Sequence, residues 1–204
     1  MAISHLEVIV EEPSMETALR QLLPGMLGDE ITFDVYPHQG KSELLDRLPD
    51  RLRGYSRFIP DGWKILVVVD RDDEVCEQLK EKLEQMAFQS GLATRSANPE
   101  KYVVVNRIAV EELEAWYFGD WEAVREVYPK LPSTVPNKAG YRNPDQIAGG
   151  TWEAFERVCQ KAGYFKNGLR KIEAATMIAP KMVPSRNTSH SFQALRDVVA
   201  EMTV

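Results

Sequence analysis

The stretch Trp63-Lys64-Ile65-Leu66-Val67-Val68-Val69 runs directly into Asp70-Arg71-Asp72-Asp73-Glu74. A short aliphatic and β-branched run behind a turn signal, Pro60-Asp61-Gly62, reads as a buried parallel strand. Asp is poorly tolerated inside strands, so the strand ends near Asp70 and presents its carboxylates at the carboxyl edge. In open α/β sheets ligands gather at that edge. Crowded carboxylates repel one another unless a cation lies between them, and hard oxygen ligands favour Mg²⁺, Mn²⁺ or Ca²⁺. A helix starting near residue 73 offers a competing explanation. An Asp before a helix caps it, and acids in the first turn suit its dipole. Capping accounts for Asp72 or Asp73, and the dipole for Glu74. Neither accounts for Asp70.

A second acid pair follows a similar strand. Residues 5–11 form a strand that finishes in Glu11-Glu12, and an amphipathic helix over 14–26 follows Pro13. Residues 31–36 alternate as a second strand. Residues 41–53 predict a helix burying Leu44, Leu45, Leu48 and Leu52, with a break or kink at Pro49. The helix over 73–90 offers Val75, Leu79, Leu83 and Met86 to the sheet, and 101–109 is a fourth strand. The order β-α-β-α-β-α-β, with crossovers long enough for parallel pairing, predicts an α/β fold. Its centre is a Rossmann-like parallel sheet of about four strands flanked by helices. Both acid clusters then share one sheet edge. Glu112 and Glu114 follow the fourth strand and can reach the same edge, although ordinary first-turn acids explain them as well.

The remaining chain predicts helices over 120–128, 151–161, 169–179 and 192–202, with irregular stretches at 129–144 and 184–191. The expected organisation is a core over 1–120 and a helical C-terminal extension, 121–204, packed on it. Net charge is −6, so the surface as a whole does not suit a polyanion. The charge is uneven, however. Seven of the 25 basic residues but one of the 31 acids lie between Arg157 and Arg186, leaving 18 basic and 30 acidic residues elsewhere. Such a segment suits a phosphate-facing patch or a solvated helix surface. No apolar run approaches the ~20 residues that cross a bilayer. The start of the chain has no signal-peptide pattern. Cys76 and Cys159 are far apart, which suits a reducing, cytoplasmic setting and disfavours disulfide or zinc frameworks. No G-x-x-x-x-G-K-[ST] loop is present, so any ATP use comes from a partner.

Val10-Glu11 and Asp70-Arg71-Asp72 resemble the signature of Toprim domains, a Glu after a first strand and a D-x-D after a later one. Glu112-Leu113-Glu114-Ala115-Trp116, Arg170-Lys171-Ile172-Glu173-Ala174-Ala175 and Asn187-Thr188-Ser189-His190-Ser191-Phe192 extend the likeness. With them the chain resembles small bacterial Toprim-like proteins related to the RloB-like and OLD-nuclease groups. That resemblance implies Mg²⁺ or Mn²⁺ held by Glu11, Asp70 and Asp72, with Glu114 and Glu112 assisting at a second ion or positioning water. It implies Lys171 beside the scissile phosphate, and Lys166, Arg170, Lys171 and Arg186 along a DNA or RNA backbone. It further implies a phage-defence nuclease paired with an SMC-like or AAA-type ATPase. Two positions depart from the pattern: Glu12 stands where a Gly is usual, and Met15 where OLD-like nucleases carry a second acid. These departures keep open a non-catalytic binding subunit with a degenerate site.

Overall fold

The computed structural model describes residues 3–203. Four strands, β1 (His5–Val10), β2 (Thr32–Pro37), β3 (Trp63–Asp70) and β4 (Val104–Ala109), form one parallel sheet in the order β2-β1-β3-β4. Three long crossover helices join them: α1 (Pro13–Leu27), α2 (Lys41–Phe58) and α3 (Cys76–Gln89). Strand order reverses between β1 and β3, so the crevice that such sheets use for ligands opens between the ends of these two strands. Registration places Val10 beside Val68 and Asp70 beside Ala109, which aligns the carboxyl ends.

The period-2 geometry of the strands sorts two cores. Leu6, Val8, Val10, Leu66, Val68, Val105 and Ala109 face α1 and the C-terminal helices. Ile9, Ile65, Val67, Val69 and Val104 face α2 and α3. Asp70 follows Leu66 and Val68 by alternation, so it belongs to the α1 side.

The C-terminal helices are α4 (Leu113–Gly119), α5 (Trp121–Val127), α6 (Thr151–Lys161), α7 (Lys171–Ile178) and α8 (His190–Met202). They share one hydrophobic cluster with the sheet and α1, running from Ile3 to Met202. α7 lies along α1, and α8 lies against β4 and α1. Aromatic rings fill the joint: Phe118 stacks between Trp121 and Tyr141, each at 5.4 Å, and Phe155 meets Tyr117 at 5.5 Å.

Two local expectations need correction. The predicted break at Pro49 does not occur, and α2 continues to Phe58. Leu44, Leu48, Leu52 and Tyr55 bury a continuous stripe across the proline, and that burial outweighs one missing N–H. Val75 does not face the sheet. It is the exposed residue preceding α3.

The polar run 187–191 closes the C-terminal half. Asn187 donates from Nδ2 to the Trp116 carbonyl at 2.9 Å and accepts from Ser189 N at 2.9 Å. Asp145 accepts from the Ser189 and Ser191 hydroxyls at 2.7 and 3.0 Å and from the Ser191 N–H at 3.3 Å, so a distant carboxylate satisfies the start of α8. Gly119 permits this approach. A Cβ there would collide with the Asn187 side-chain oxygen and lie 2.9 Å from Ser189 N. Gly119→Ala is therefore expected to lower unfolding free energy by about 1–3 kcal/mol. Urea denaturation measures this, and a variant as stable as wild type would remove the close-approach argument.

Candidate active site

Three strand exits deliver acids to one rim. β1 is followed by Glu11 and Glu12, β3 ends in Asp70 with Asp72 beyond, and β4 is followed by Glu111, Glu112 and Glu114. Glu11 and Asp70 flank the switch point. They are adjacent, with the Asp70 N–H donating to Glu11 Oε2 at 3.1 Å. Asp70 and Glu114 are fully desolvated, and Asp70 Oδ1 and both Glu114 carboxylate oxygens lack a hydrogen-bond partner. Unpartnered buried oxygens of this kind are costly and rare in folded proteins.

The helix-cap explanation fails for the D-x-D acids. α3 begins at Cys76 with Val75 as its capping position, so neither Asp72 nor Asp73 caps it. Asp72 instead adopts a left-handed backbone, φ 49°, and its carboxylate pairs with Lys41 Nζ at 2.8 Å. Lys41 also meets Glu74 at 3.1 Å and donates to the Arg71 carbonyl at 3.0 Å. The turn is tied to the β4 exit by Arg71 N–H bonds to the Ala109 and Glu111 carbonyls, and by an ion pair between Arg71 and Glu111.

A second lysine holds the deeper acids. Lys171 Nζ lies 3.5 Å from Glu12 and 4.0 Å from Glu112, and 5.8 Å from the centre of the Trp152 ring. Glu112 is divided between two tasks. Its Oε2 accepts from Thr151 Oγ1 at 3.1 Å and the Trp152 N–H at 3.0 Å, capping α6 from a distant loop. Its Oε1 faces Lys171.

Protonation equilibria follow from this crowding. Burial, then the charge of Asp72, raises Glu11 to about 7, against the pull of Lys41 and the Asp70 N–H. Burial raises Glu114 to about 7, opposed by Lys171 and reinforced by Glu112 and Glu12. Asp70 is pushed well above the usual carboxylate range by burial and by Glu11, Glu12 and Glu114. Lys171 is raised because Glu114, Glu12, Glu112 and Asp70 outweigh its desolvation.

The structure thus gathers Glu11, Asp70, Glu112 and Glu114 around the switch point and draws Asp72 aside to Lys41. Among the described residues, no three His, Cys, Asp or Glu side chains converge tightly enough to hold a metal ion as they stand. The donor chemistry nevertheless fits a hard divalent cation. All candidate ligands are carboxylates, and the orphaned oxygens of Asp70 and Glu114 are acceptors without donors.

The residues expected along a nucleic-acid backbone separate. Lys166 and Arg170 are exposed, and Arg170 pairs with Glu173 at 2.9 Å. Arg186 is occupied elsewhere. It pairs with the fully buried Asp120 carboxylate at 2.7 Å and with Glu122 at 2.7 Å, fixing the 183–188 loop to the α4–α5 junction. Arg186→Ala should leave Asp120 buried without its cation and lower stability by about 2 kcal/mol. Chemical denaturation tests this, and an unchanged midpoint would free Arg186 for another role.

Lys41 and Glu12 escaped the sequence reading as site residues. A signal existed for Lys41, and it is one that Lys171 shares. Lys41 and Lys171 are each the first residue of their helix, where the dipole disfavours cations, so acids must hold them there.

Clefts flank the rim on both sides. One, about 660 Å³, is lined by Asp72, Glu112, Gly150 and Trp152. The other, about 480 Å³, is lined by Glu12, Gln39, Arg170 and Lys171.

This arrangement defines a doubly wound α/β protein with a carboxylate-rich rim at its switch point. The chain belongs to the family described as domain of unknown function DUF4276, whose model matches residues 10–200. Among solved structures, the C-terminal region of the Burkholderia pseudomallei OLD protein has a similar fold, with 13% identity, full coverage of both chains and a TM-score of 0.50. No curated protein matches. Among the described residues no helix is long and apolar enough to cross a membrane.

The raised carboxyls carry a pH dependence. A carboxyl raised in the fold but ordinary in the unfolded chain stabilises fully below about 4.5, and that contribution is lost as pH rises towards about 7. In EDTA the protein should be less stable near pH 8 than near pH 5. Glu114→Gln should remove part of that fall, on the order of 1–3 kcal/mol. Urea titrations at both pH values decide it, and identical slopes for variant and wild type would contradict the assignment.

Proposed function

We propose that this chain is a Toprim-type, divalent-metal-dependent phosphodiesterase acting on nucleic acid. The observation that carries the reading is the pair of buried carboxylates, Asp70 and Glu114, with unpartnered oxygens beside Lys171 at the switch point. Carboxylates from β1, β3 and the β4 exit, namely Glu11, Asp70 and Asp72 with Glu114 and Glu112 behind them, would hold Mg²⁺ or Mn²⁺. A bound ion of this kind lowers the pKa of a water and offsets charge on a phosphoryl oxygen.

The chain's own residues supply the rest. Lys171 places an ammonium at the rim, where it can offset negative charge developing on a phosphate. Glu114, with its pKa near 7, can hold or release a proton at working pH. Glu112 fixes the start of α6 and keeps Trp152 near Lys171. Lys166 and Arg170 would meet the nucleic-acid backbone. The fold likeness to a region of an OLD protein supports this reading at the level of fold. The resemblance to Toprim-like defence nucleases would pair such a protein with an SMC-like or AAA-type ATPase, and any ATP use would be that partner's, since the sequence holds no G-x-x-x-x-G-K-[ST] loop.

A second reading has a specific observation behind it. Lys41 and Lys171 already pair with the rim acids, and among the described residues no three carboxylates converge tightly enough to hold a metal ion. A non-catalytic binding subunit would show this arrangement.

One experiment separates the two readings. Wild type, Asp70→Ala and Lys171→Ala are incubated with DNA and RNA in Mg²⁺ or Mn²⁺. Cleavage by wild type, lowered at least 100-fold in each variant, is the expected result. Absence of cleavage, together with no effect of either ion on thermal stability, favours the binding subunit.

A further inference from the structure

Away from the acidic rim, three lysines surround one small pocket. Lys130, Lys138 and Lys161 line it together with Tyr141, Val135 and Val158, and no acid lines it. Its volume is about 160 Å³. All three lysines are exposed, and none forms an ion pair among the described residues. Several other basic residues of the C-terminal half are neutralised, Lys171 by Glu12, Lys181 by Glu126, Arg170 by Glu173 and Arg186 by Asp120, whereas Arg125, Arg142, Arg157 and Lys166 form no ion pair among the described residues and do not line this pocket. In a chain of net charge −6, three unpaired ammonium groups about one concavity form a local anion site.

The walls say what kind of anion. Val135 and Val158 are buried and give an apolar floor, and Tyr141 is held by stacking on Phe118. Ammonium groups bind phosphate as point charges, and an apolar or aromatic surface accepts a sugar or base face. Whole small-molecule ligands occupy roughly 300–1,000 Å³. This pocket is smaller, so it suits one phosphate and its attached sugar, a piece of a longer chain.

Its position relative to the rim agrees. α6 runs from Thr151, which Glu112 holds, to Lys161 at the pocket. Ten steps of helix span roughly 15 Å. That is about four phosphate steps along one strand of a duplex.

We infer that the Lys130–Lys138–Lys161 pocket is a phosphate-binding subsite for a nucleic-acid strand whose neighbouring segment crosses the acidic rim. The inference rests on the phosphodiesterase reading for its ligand class, but it is tested without catalysis. Fluorescence anisotropy with labelled DNA and RNA strands, in EDTA and across about 50–200 mM salt, compares four full-length proteins. These are wild type, Lys130→Ala/Lys138→Ala/Lys161→Ala, Lys138→Glu, and a charge-matched control, Arg57→Ala/Lys82→Ala/Lys101→Ala. Circular dichroism checks that each is folded.

The triple pocket variant should bind about tenfold more weakly or worse, and its slope of log affinity against log salt should be shallower by about 2. Lys138→Glu should weaken binding in the same direction, and the control should change it much less. Wild type that binds no strand, a pocket variant that binds like wild type, or a control that loses as much would each overturn the subsite. A free nucleoside monophosphate that binds as tightly as a strand, at the same lysines, would also overturn it. Cleavage is scored separately. A nuclease whose strand binding ignores the three lysines sinks the pocket and spares the phosphodiesterase reading. Strand binding through the pocket without any cleavage does the reverse.

Discussion

Repulsion between carboxylates at the ends of β1, β3 and β4 is the constraint that the rest of this structure answers. A parallel sheet points its strand ends the same way, so acids that follow separate strands must meet. The fold answers with lysines placed at the first position of two helices. Lys41 opens α2 and takes Asp72 and Glu74, while Lys171 opens α7 and takes Glu12 and Glu112. Each position is unfavourable for a cation by the helix dipole alone. The acids reverse that preference, and in doing so they fix where the two helices begin.

The answer also makes the C-terminal half part of the rim. Lys171, Thr151 and Trp152 all come from beyond residue 120, yet they touch acids that follow β1 and β4. Glu112 caps a helix that starts 39 residues later, and Asp145 satisfies the start of α8 from a distance of 44 residues. α6 has no side-chain cap of its own, so its start depends on Glu112, whereas α8 has Ser189 as a local cap and Asp145 adds to it. Burial of Phe118, Phe155 and Phe192 in one cluster with the sheet holds these contacts in register. The C-terminal helices thus pack on the sheet and α1 through one shared hydrophobic cluster.

Much of this was legible from residue pattern. The run 65–69 is wholly apolar and short, and Asp70 ends it, so the strand and its direction of presentation could be read directly. The helix over 151–161 was equally plain, although Thr151, which reads as its cap, is its first helical residue and Gly150 holds the capping position. Pro49 misled, since a proline's local cost says nothing about the leucine stripe on either side of it. That Asp70 and Glu114 would be left buried with unpartnered oxygens could not be read from the pattern that singled them out, because burial is a property of the packed fold. Arg186 shows the converse. Its place in a basic segment suggested phosphate, whereas its partner, Asp120, lies 66 residues away and is visible only once the chain is folded.

The charge balance at the rim bears on how a phosphate could approach it. Asp70 senses Glu11, Glu12 and Glu114, and Glu114 senses Glu112 as well, so five carboxyls crowd one region with two ammonium groups, Lys171 and, at Glu11, Lys41. Burial is the larger cause and the neighbouring acids add to it, so Glu11 and Glu114 rise to about 7 and retain protons against the pull of Lys41 and Lys171. A proton and a divalent cation are alternatives for the same oxygens, since carboxylates must be ionised to coordinate. A phosphodiester is itself an anion and is repelled by the ionised rim. It would settle at the rim itself when retained protons or a cation have reduced that charge, and Lys171 is a rim cation on a flexible stem that faces both the acids and an open cleft. On the proposed reading, electrostatics would set the order of events at such a rim: acids neutralised first, phosphate second, with Lys171 then free to turn from carboxylate to phosphate.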